Sequence, residues 1–266
     1  YMERIKMRYF ITNNNDEQSL KTKKYIIDFL SEHSGFIFDE NQPEIIISLG
    51  GDGRFLKTVN QYNDKLNTFA IVGISTGKLG FLCDYKIDEI DLFLNDIISH
   101  TPRYETRKMI EVYYNKKKHL YLNEFRIEKI FETLKVDINI NDNYFYTFNG
   151  SGLNFSSSTG STAYNRSLKG PIVNVHNNAI IMNEISSIDN LYTKNLNSPL
   201  ILLEKDVISL KAPLENVIVG GDSNYEILKE EKNDIIIKLS NDKIVFAHFN
   251  NFDYYSKLEK CFIRKD

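Results

Sequence analysis

Short apolar runs that end in glycine and precede helix-spaced apolar residues constrain the fold of this chain most strongly. Residues 45–49 and 69–72 are such runs, and their composition is typical of strands buried on both faces of a sheet. Apolar residues at helical spacing follow over 55–62 and over 87–98. Because strand and helix alternate, the N-terminal part is predicted to form a parallel sheet with helices on its faces. The other predicted elements of this part are a strand at 8–11 and a helix at 16–30.

Beyond residue 103 the pattern changes to short alternating runs separated by polar turns. Two of these turns, at 116–118 and 141–143, are typical of hairpin connections. One segment, 179–185, is predicted to be helical. This half is therefore predicted to be mainly antiparallel β structure. Its predicted strands are 110–113, 120–127, 134–140, 144–148, 207–210, 217–219, 235–239 and 244–249.

The change of pattern predicts two domains. The first is an α/β domain with a parallel sheet and helices over residues 1–102, and the second is a mainly antiparallel β-sandwich over 103–250. Residues 251–266 form a C-terminal segment that could return to the N-terminal domain. A chain of 266 residues is long enough for domains of this size to bury their own cores.

Charge and cysteine content narrow the class of function. The chain has 33 basic and 36 acidic residues, so its net charge of -3 argues against nucleic acid as a partner. Its apolar runs are too short to span a bilayer, which argues against a membrane protein. With only two cysteines, Cys83 and Cys261, a disulfide framework is not expected, and a cytoplasmic location is predicted.

Twelve of the 13 glycines fall into four clusters, at 50–53, 73–80, 150–170 and 220–221. Glycine lets a ligand approach the backbone closely, so this clustering indicates several loops around one bound molecule. Ordinary turns between strands are the alternative interpretation.

The first cluster, Gly50-Gly-Asp-Gly53, joins a buried strand to a helix and carries one carboxylate. Backbone N–H groups of such a turn can hold a phosphate. Asp52 could then take a proton from an attacking hydroxyl or hold a metal, or it could simply cap the helix. The turn alone is moderately specific, because lipid kinases and phosphofructokinases contain similar turns, and no P-loop or Gly-x-Gly-x-x-Gly motif is present.

Three further segments carry polar groups that suit a nucleotide. Residues 73–82 follow a predicted strand and contain three glycines. Asn123 and Glu124 interrupt an apolar strand, where a ribose diol or an amide would satisfy them, although a hairpin edge is the alternative. Residues 150–167 combine glycines with small hydroxyls and lead into a predicted helix.

Together these motifs resemble those of the NAD kinases, which phosphorylate the adenosine 2′-hydroxyl of NAD. The resemblance spans about two thirds of the chain. It is carried by Gly-Gly-Asp-Gly at 50–53, Gly-Lys-Leu-Gly-Phe-Leu at 77–82, Asn-Glu at 123–124, Thr-Gly-Ser-Thr-Ala-Tyr-Asn at 159–165 and Gly-Asp-Ser at 221–223. Lipid kinases share the first motif but not the fourth.

The resemblance implies an α/β domain, a β-sandwich domain and a nucleotide site between them. It implies that Asp52 is the catalytic carboxylate, and that phosphate is bound at Gly50, Gly51 and Gly53; Arg54 beside them is a further candidate for phosphate binding. The implied NAD-binding residues are Asp52, Gly53, Phe81 (lining the adenine pocket), Asn123, Glu124, Thr159, Thr162, Ala163, Tyr164 and Ser167. No protein metal site is implied.

The same resemblance implies NAD and ATP as substrates, with Mg²⁺ or another divalent cation accompanying ATP. It further implies a homo-oligomer, either a tetramer or a dimer, in which a neighbouring subunit completes the site.

Several residues depart from the family's usual pattern. Arg54 stands where a small hydroxyl is usual, and Ser151 stands where Asp is common. Ser158 replaces a proline, and Lys169 replaces a glycine. Arg54 could assist phosphate binding or block the donor site. The chain is therefore expected to be an NAD kinase; a non-catalytic NAD- or NADP-binding protein, or a lipid kinase sharing only the first motif, are the alternatives.

Overall fold

The structure, a computed structural model, describes residues 6–229 and 234–264. The chain divides into two compact units, of which unit 1 comprises residues 1–106 and 243–266 and unit 2 comprises 107–242. The domain boundaries predicted from the sequence follow residues 102 and 250, whereas the divisions between the two units follow residues 106 and 242. The predicted C-terminal segment 251–266 is described as far as residue 264, and residues 265–266 lie outside the described part.

Both units contain strands, and unit 1 has the longer helices. None of the helices in the described ranges is both long and apolar enough to cross a bilayer. The elements are β1 (Met7–Asn13), α1 (Glu17–Ser31), β2 (Phe36–Phe38), β3 (Ile45–Gly50), α2 (Asp52–Gln61), β4 (Ala70–Ser75), β5 (Tyr85–Lys86), α3 (Ile90–Ser99), β6 (Arg103–Tyr114), β7 (Lys117–Tyr121), β8 (Glu124–Glu128), β9 (Leu134–Ile140), β10 (Asn143–Gly150), β11 (Gly152–Ser157), α4 (Tyr164–Ser167), β12 (Ala179–Ile185), β13 (Leu200–Leu203), β14 (Ile208–Lys211), β15 (Ile218–Gly221), β16 (Asn224–Ile227), β17 (Ile235–His248) and α5 (Tyr254–Phe262).

Unit 1 is built on a parallel sheet in the order β2-β1-β3-β4. All residues of β3 and β4 are buried, as expected of strands covered on both faces. Helix α1 begins after Asp16, whose carboxylate accepts the N–H of Ser19 at 2.8 Å. In the β3–β4 register, Gly50 lies beside Ser75, so the loops that follow these two strands start at the same edge of the sheet.

Unit 2 contains two antiparallel sheets. One has the strand order β13-β12-β11-β8-β15-β16, and the other includes β10-β9-β14-β17 together with the β6–β7 pair. Inward-facing residues of both sheets, such as Phe155 and Ile138, belong to a single buried apolar cluster. The predicted fold class, an α/β N-terminal part and a mainly antiparallel β-sandwich, is confirmed.

Hairpins are present at both predicted places, with the first turn at 115–116 instead of 116–118 and the second at 141–142, within the predicted 141–143. Asn115 and Lys116 join β6 to β7 with φ of 50° and 60°, and Asn141 and Asp142 join β9 to β10 with φ of 52° and 64°. Positive φ at both central residues is the requirement of a type I′ turn, which matches the twist of antiparallel strands. Of the lysine run at 116–118 that indicated the first turn, only Lys116 is a central residue of that turn.

The predicted helix at 179–185 is wrong, because this segment is strand β12. It pairs with β11 on one side and β13 on the other, and six of its seven residues are buried. A central strand that is apolar on both faces shows no two-residue alternation, so its pattern cannot be distinguished from a short helix by periodicity.

Two predicted strand limits are also wrong. The strand predicted at 120–127 is broken, because Leu122 and Asn123 lie in a bend between β7 and β8. The strands predicted at 235–239 and 244–249 are one strand, β17. The polar residues between the two predicted strands are part of β17. Ser240, which is buried among them, donates a hydrogen bond to Glu111 at 3.1 Å and is thereby satisfied.

A buried charge cluster in unit 1 is centred on His248, which is 2% exposed. Its Nδ1 lies 2.5 Å from Asp84 Oδ2 and its Nε2 lies 3.6 Å from Glu105 Oε2. Burial lowers the pKa of His248, but the hydrogen bonds and charges of the two carboxylates outweigh it and raise the pKa above its ordinary value.

This cluster should make the stability of unit 1 depend on pH. Since the folded pKa is raised, the stabilisation is complete below the unfolded pKa of about 6.5 and is lost as pH rises through the folded pKa. His248→Asn should remove this dependence and, by unpairing buried carboxylates, lower the free energy of unfolding near pH 6 by roughly 3–5 kcal/mol. Urea unfolding followed by circular dichroism from pH 5.5 to 9 measures both effects.

The control for this experiment is His176→Asn, which removes an exposed histidine of unit 2. The control should keep the wild-type pH profile. An unchanged profile in His248→Asn would show that the pKa of His248 is the same in the folded and the unfolded protein, and would contradict the raised folded pKa.

Candidate active site

The Gly50–Gly53 turn lies at the end of β3 and opens directly into α2. The N-cap of this helix is Gly51, which makes no side-chain capping bond, and Asp52 is the first helical residue. The interpretation of Asp52 as a helix cap is therefore wrong.

Both carboxylate oxygens of Asp52 bind the loop that follows β4. Phe81 N donates to Oδ2 at 2.8 Å, and Leu82 N donates to Oδ1 at 3.0 Å. Gly80 lies so close that a Cβ there would come within 2.1–2.5 Å of the carboxylate. An ionised carboxylate has about four acceptor positions, so each oxygen can accept another hydrogen bond. The side chain is thus fixed in orientation and still able to accept a hydrogen bond from a ligand.

The backbone of the turn leaves room for a ligand. Apart from the neighbouring residues and the backbone of α2 itself, no described atom lies within 4 Å of the place that a Cβ would take at Gly51 or at Gly53. At Gly50, in contrast, a Cβ would lie 2.5 Å from the Cβ of Arg54. Glycine at position 50 is therefore required by packing, whereas at 51 and 53 it keeps the start of α2 open to an anion.

Arg54 lies in the first turn of α2 and is half-buried. Its Nε is buried, and among the described residues it has no hydrogen-bond partner. A buried donor without a partner is costly, so this guanidinium is suited to an anionic ligand.

Phe81 is held by its ring as well as by its N–H group. The ring stacks on Phe262 of α5 with centroids 5.2 Å apart, and Tyr254 meets it edge-on at 6.2 Å. Phe81 therefore lies beside Asp52 in the structure, as part of an aromatic group, and remains half-buried.

In unit 2, Asn123 and Glu124 occupy the bend and the first position of β8. The backbone of this bend is bound by one buried carboxylate, that of Asp222, which is 2% exposed. Asp222 accepts hydrogen bonds from the N–H groups of Leu122, Asn123 (2.9 Å) and Glu124 (3.4 Å). This arrangement explains the broken strand, because the N–H groups bind Asp222 instead of a neighbouring strand.

Two glycines press on the same bend. A Cβ at Gly160 would lie 1.9 Å from the carbonyl oxygen of Asn123, and one at Gly221 would lie 1.7 Å from that of Glu124. The bend is consequently fixed on both sides, and its side chains are held in a defined direction.

Burial raises the pKa of Glu124 to about 7, and the charge of Asp222 adds to this effect while Arg126 opposes it. Burial likewise raises the pKa of Asp222 to about 6, in opposition to its three backbone hydrogen bonds. Glu124 Oε2 is buried and has no hydrogen-bond partner within the described part of the chain. A buried oxygen of this kind is suited to a hydroxyl of a bound molecule.

Residues 159–167 form a 3-10 turn followed by α4. Several hydroxyl and amide groups of this segment donate hydrogen bonds to backbone carbonyl groups of the protein. Ser161 Oγ donates to the carbonyl of Ser158 at 2.8 Å, and Asn165 Nδ2 donates to that of Ser161 at 2.8 Å. Thr162 Oγ1 donates to the carbonyl of Thr159 at 3.2 Å. These bonds hold the segment in place, so the hydroxyls of Ser161 and Thr162 stabilise the fold.

Tyr164 brings this segment to the Asn123–Glu124 bend. Its backbone N–H group acts on the Glu124 carboxylate and lowers its pKa, and its ring centre lies 4.3 Å from the guanidinium carbon of Arg126. Ala163 directly precedes α4 and is half-buried, whereas Ser167 at the end of α4 is exposed.

Two of the unusual residues retain the backbone of the residue they replace. Ser158 has φ of -61°, close to the value proline imposes, and Lys169 has φ of +62°, which favours glycine. Ser158 is further held by a hydrogen bond from its Oγ to the carbonyl of Asn177. These substitutions therefore leave the course of the chain intact.

The structure thus gathers the predicted residues into two groups. One, in unit 1, contains Gly50, Gly51, Asp52, Gly53, Arg54 and Phe81; the other, in unit 2, contains Asn123, Glu124, Thr159, Thr162, Ala163 and Tyr164. Within the described part of the chain, the exposed Ser167 side chain has no hydrogen bond to the second group.

Sequence reasoning missed two residues of the second group. Asp222 follows Gly220 and Gly221. The sequence places it in the motif at 221–223 but predicts no function for it. Arg126 gave no signal, because a charged residue in an alternating strand is ordinary. Within the described ranges, no group of three or more His, Cys, Asp or Glu side chains could hold a metal ion.

Comparison with known proteins assigns the family. Residues 11–102 match the family described as the ATP-NAD kinase N-terminal domain. The chain is 34% identical to NAD kinase 1 of Bacillus subtilis, over 97% of this chain and 99% of that protein.

Two solved structures share the fold. Yeast NADH kinase complexed with NADH has a TM-score of 0.84 at 17% identity, covering 99% of this chain and 90% of its own. An NAD kinase from Archaeoglobus fulgidus in complex with ATP has a TM-score of 0.74 at 20% identity, covering 96% and 99%. On the near-complete match to the Bacillus subtilis enzyme at this identity, the chain belongs to the NAD kinase family.

Proposed function

We propose that this protein is an NAD kinase that transfers the γ-phosphate of ATP to the 2′-hydroxyl of the adenosine ribose of NAD, with NADP and ADP as products. The observation that carries the proposal is the Asp52 carboxylate, fixed by two N–H groups at an open glycine turn. Family membership and the likeness to ATP- and NADH-bound structures support the choice of substrates.

In the proposed reaction, Asp52 accepts the proton of the 2′-hydroxyl as this oxygen forms its bond to the γ-phosphorus. The bond between the γ-phosphorus and the bridging oxygen of ADP breaks, and the proton later leaves Asp52 to solvent. Backbone N–H groups at Gly51 and Gly53 and the guanidinium of Arg54 bind the donor phosphates.

A divalent cation fits this site as a companion of ATP. Mg²⁺ keeps several waters and is held largely by substrate phosphates, so donor phosphates at the open glycine turn would supply its main ligands. When bound, the ion would neutralise charge on the phosphates.

We assign NAD binding chiefly to the second group of residues. The Asn123 amide and the buried Glu124 oxygen suit a ribose diol, which can both donate and accept hydrogen bonds. Thr159, Thr162, Ala163, Tyr164 and Ser167 are assigned to the adenine and nicotinamide ends of NAD, and Phe81 to the adenine pocket. A cytoplasmic location agrees with the two free cysteines, and a dimer or tetramer is proposed.

The direct test is to incubate the purified protein with NAD, ATP and Mg²⁺ and to measure NADP with an NADP-specific dehydrogenase. Light scattering coupled to size exclusion tests the oligomeric state. A protein that binds NAD by calorimetry but forms no NADP would instead support the non-catalytic interpretation.

Asp52→Asn should reduce NADP formation by about 10² to 10⁴-fold, because the amide cannot accept the proton and can accept only one of the two N–H groups that orient Asp52. The dissociation constant for NAD should stay within several-fold of wild type. The matched control is Asp64→Asn, an exposed position just beyond the same helix, which should leave turnover unchanged. Near-normal turnover in Asp52→Asn would eliminate this residue as the base.

Asn123→Ala and Glu124→Gln should each weaken NAD binding. A lost hydrogen bond costs about 1–3 kcal/mol, which corresponds to roughly 5- to 150-fold in dissociation constant, and the Michaelis constant for ATP should change little. Calorimetry with NAD measures the effect, with the exposed Glu215→Gln of the same unit as control. Wild-type affinity in both variants would mean that the pair serves only the fold.

Arg54→Thr should raise the Michaelis constant for ATP about tenfold and alter NAD binding little, because a charge-assisted hydrogen bond to phosphate is lost. Lys57→Thr, an exposed cation on the same helix, is the control for a general loss of charge. Initial rates over a range of ATP concentrations make the comparison. If instead the wild type is inactive and Arg54→Thr gains activity, Arg54 blocks the donor site.

A further inference from the structure

Helix α5, near the end of the chain, packs on the loop that binds Asp52. Lys257 Nζ donates a hydrogen bond to the carbonyl oxygen of Cys83, and Cys261 Sγ approaches that of Leu79 at 3.6 Å. Phe262 stacks on Phe81. The helix thus contacts the first, third and fifth residues of the Leu79–Cys83 segment.

Lys257 is an unusual residue for this position because it is only 5% exposed. A lysine ammonium is almost never fully buried without a compensating charge. Asp52, Asp84 and Lys257 all act electrostatically on the buried Cys83 thiol, so each of the three lies within electrostatic range of that thiol. One of these is the proposed catalytic base.

The same segment holds Asp52 on its other side. Its third and fourth residues, Phe81 and Leu82, donate their N–H groups to the two carboxylate oxygens, and Gly80 leaves no free space beside them. Lys257 binds the residue that directly follows these donors. A shift of Cys83 would therefore move both N–H groups relative to Asp52.

We propose that Lys257 is a positioning residue for phosphoryl transfer: from α5 it holds the Leu79–Cys83 segment in place, and this segment fixes the orientation of the Asp52 carboxylate. The inference rests on the proposed function and extends it to a part of the chain about 200 residues from Asp52. Because misplacement by about 1 Å can cost on the order of 10²-fold in rate, small movements of the segment are sufficient for a kinetic effect.

Lys257→Met keeps the length of the side chain while removing its charge and its donor. It should lower kcat by about 10- to 100-fold and leave the dissociation constant for NAD within about threefold. Lys260→Met is the matched control, since Lys260 is exposed on the same helix, and it should behave as wild type. A change confined to the NAD dissociation constant, or an unchanged kcat, would overturn the proposal.

A double-mutant cycle separates positioning from a purely structural role. If Lys257 acts through Asp52, Asp52→Asn combined with Lys257→Met should be no slower than Asp52→Asn alone. Independent effects, in which the two reductions of kcat multiply, would overturn the proposal. Residual turnover after loss of a general base is large enough for an end-point assay.

Amide hydrogen exchange supplies a readout that does not depend on activity. Exchange at Phe81 and Leu82 should become faster in Lys257→Met and stay at the wild-type rate in Lys260→Met. Unchanged exchange in Lys257→Met would contradict the proposal. If the wild type forms no NADP, the proposed function fails, and this exchange experiment still decides whether Lys257 holds the segment.

Phe262→Leu provides a second variant if Lys257→Met does not fold. Phe262 is half-buried at the end of α5, and leucine preserves much of its apolar contact with Phe81. This variant should speed exchange at Phe81 and lower kcat, again without further loss in the Asp52→Asn background. Wild-type kcat and exchange would overturn the role of α5.

Discussion

The hydrogen bonds from Phe81 and Leu82 to Asp52 are the constraint on which the site in unit 1 depends. They exist because β3 and β4 are parallel neighbours in register, so the loops that follow them start side by side. A carboxylate bound in this way has little rotational freedom left. Preorganisation of that kind lowers the cost of placing a base against a hydroxyl, which is the physical reason for proposing that the glycine turn, the second loop and α5 form one functional arrangement.

Unit 2 contains a similar arrangement, in which an aspartate after two glycines accepts backbone N–H groups. Gly50-Gly51-Asp52 and Gly220-Gly221-Asp222 both end a strand with two glycines and an aspartate, and in each case the carboxylate collects consecutive N–H groups from another segment. The two differ in access. Asp222 is buried at 2% exposure and serves the bend at Asn123, whereas Asp52 is half-buried at an open turn. The first therefore fixes backbone, and the second is available for chemistry.

Local patterns were sufficient to predict much of the fold. Apolar spacing and turn residues predict helix α1, strands β3 and β4 and both hairpin connections, because these signals act over a few neighbouring positions. The failures share a cause. Strand β12 lacks alternation because both of its faces are covered, and the bend at Asn123 exists because of Asp222, about 100 residues later. Neither the covering of both faces of β12 nor the distant carboxylate of Asp222 can be predicted from the neighbouring residues.

The sequence by itself determined the family, through motifs at 50–53, 77–82, 123–124 and 159–165, and with it the residues expected at the site. Tertiary structure alone decided what each polar group binds. It showed that Asp52 holds a loop and does not cap its helix, that Ser161 is used by the fold, and that Lys257 is buried against the segment beside Asp52. The physical reason is that residue type states which hydrogen bonds and charges are possible, whereas only the folded chain selects the partners.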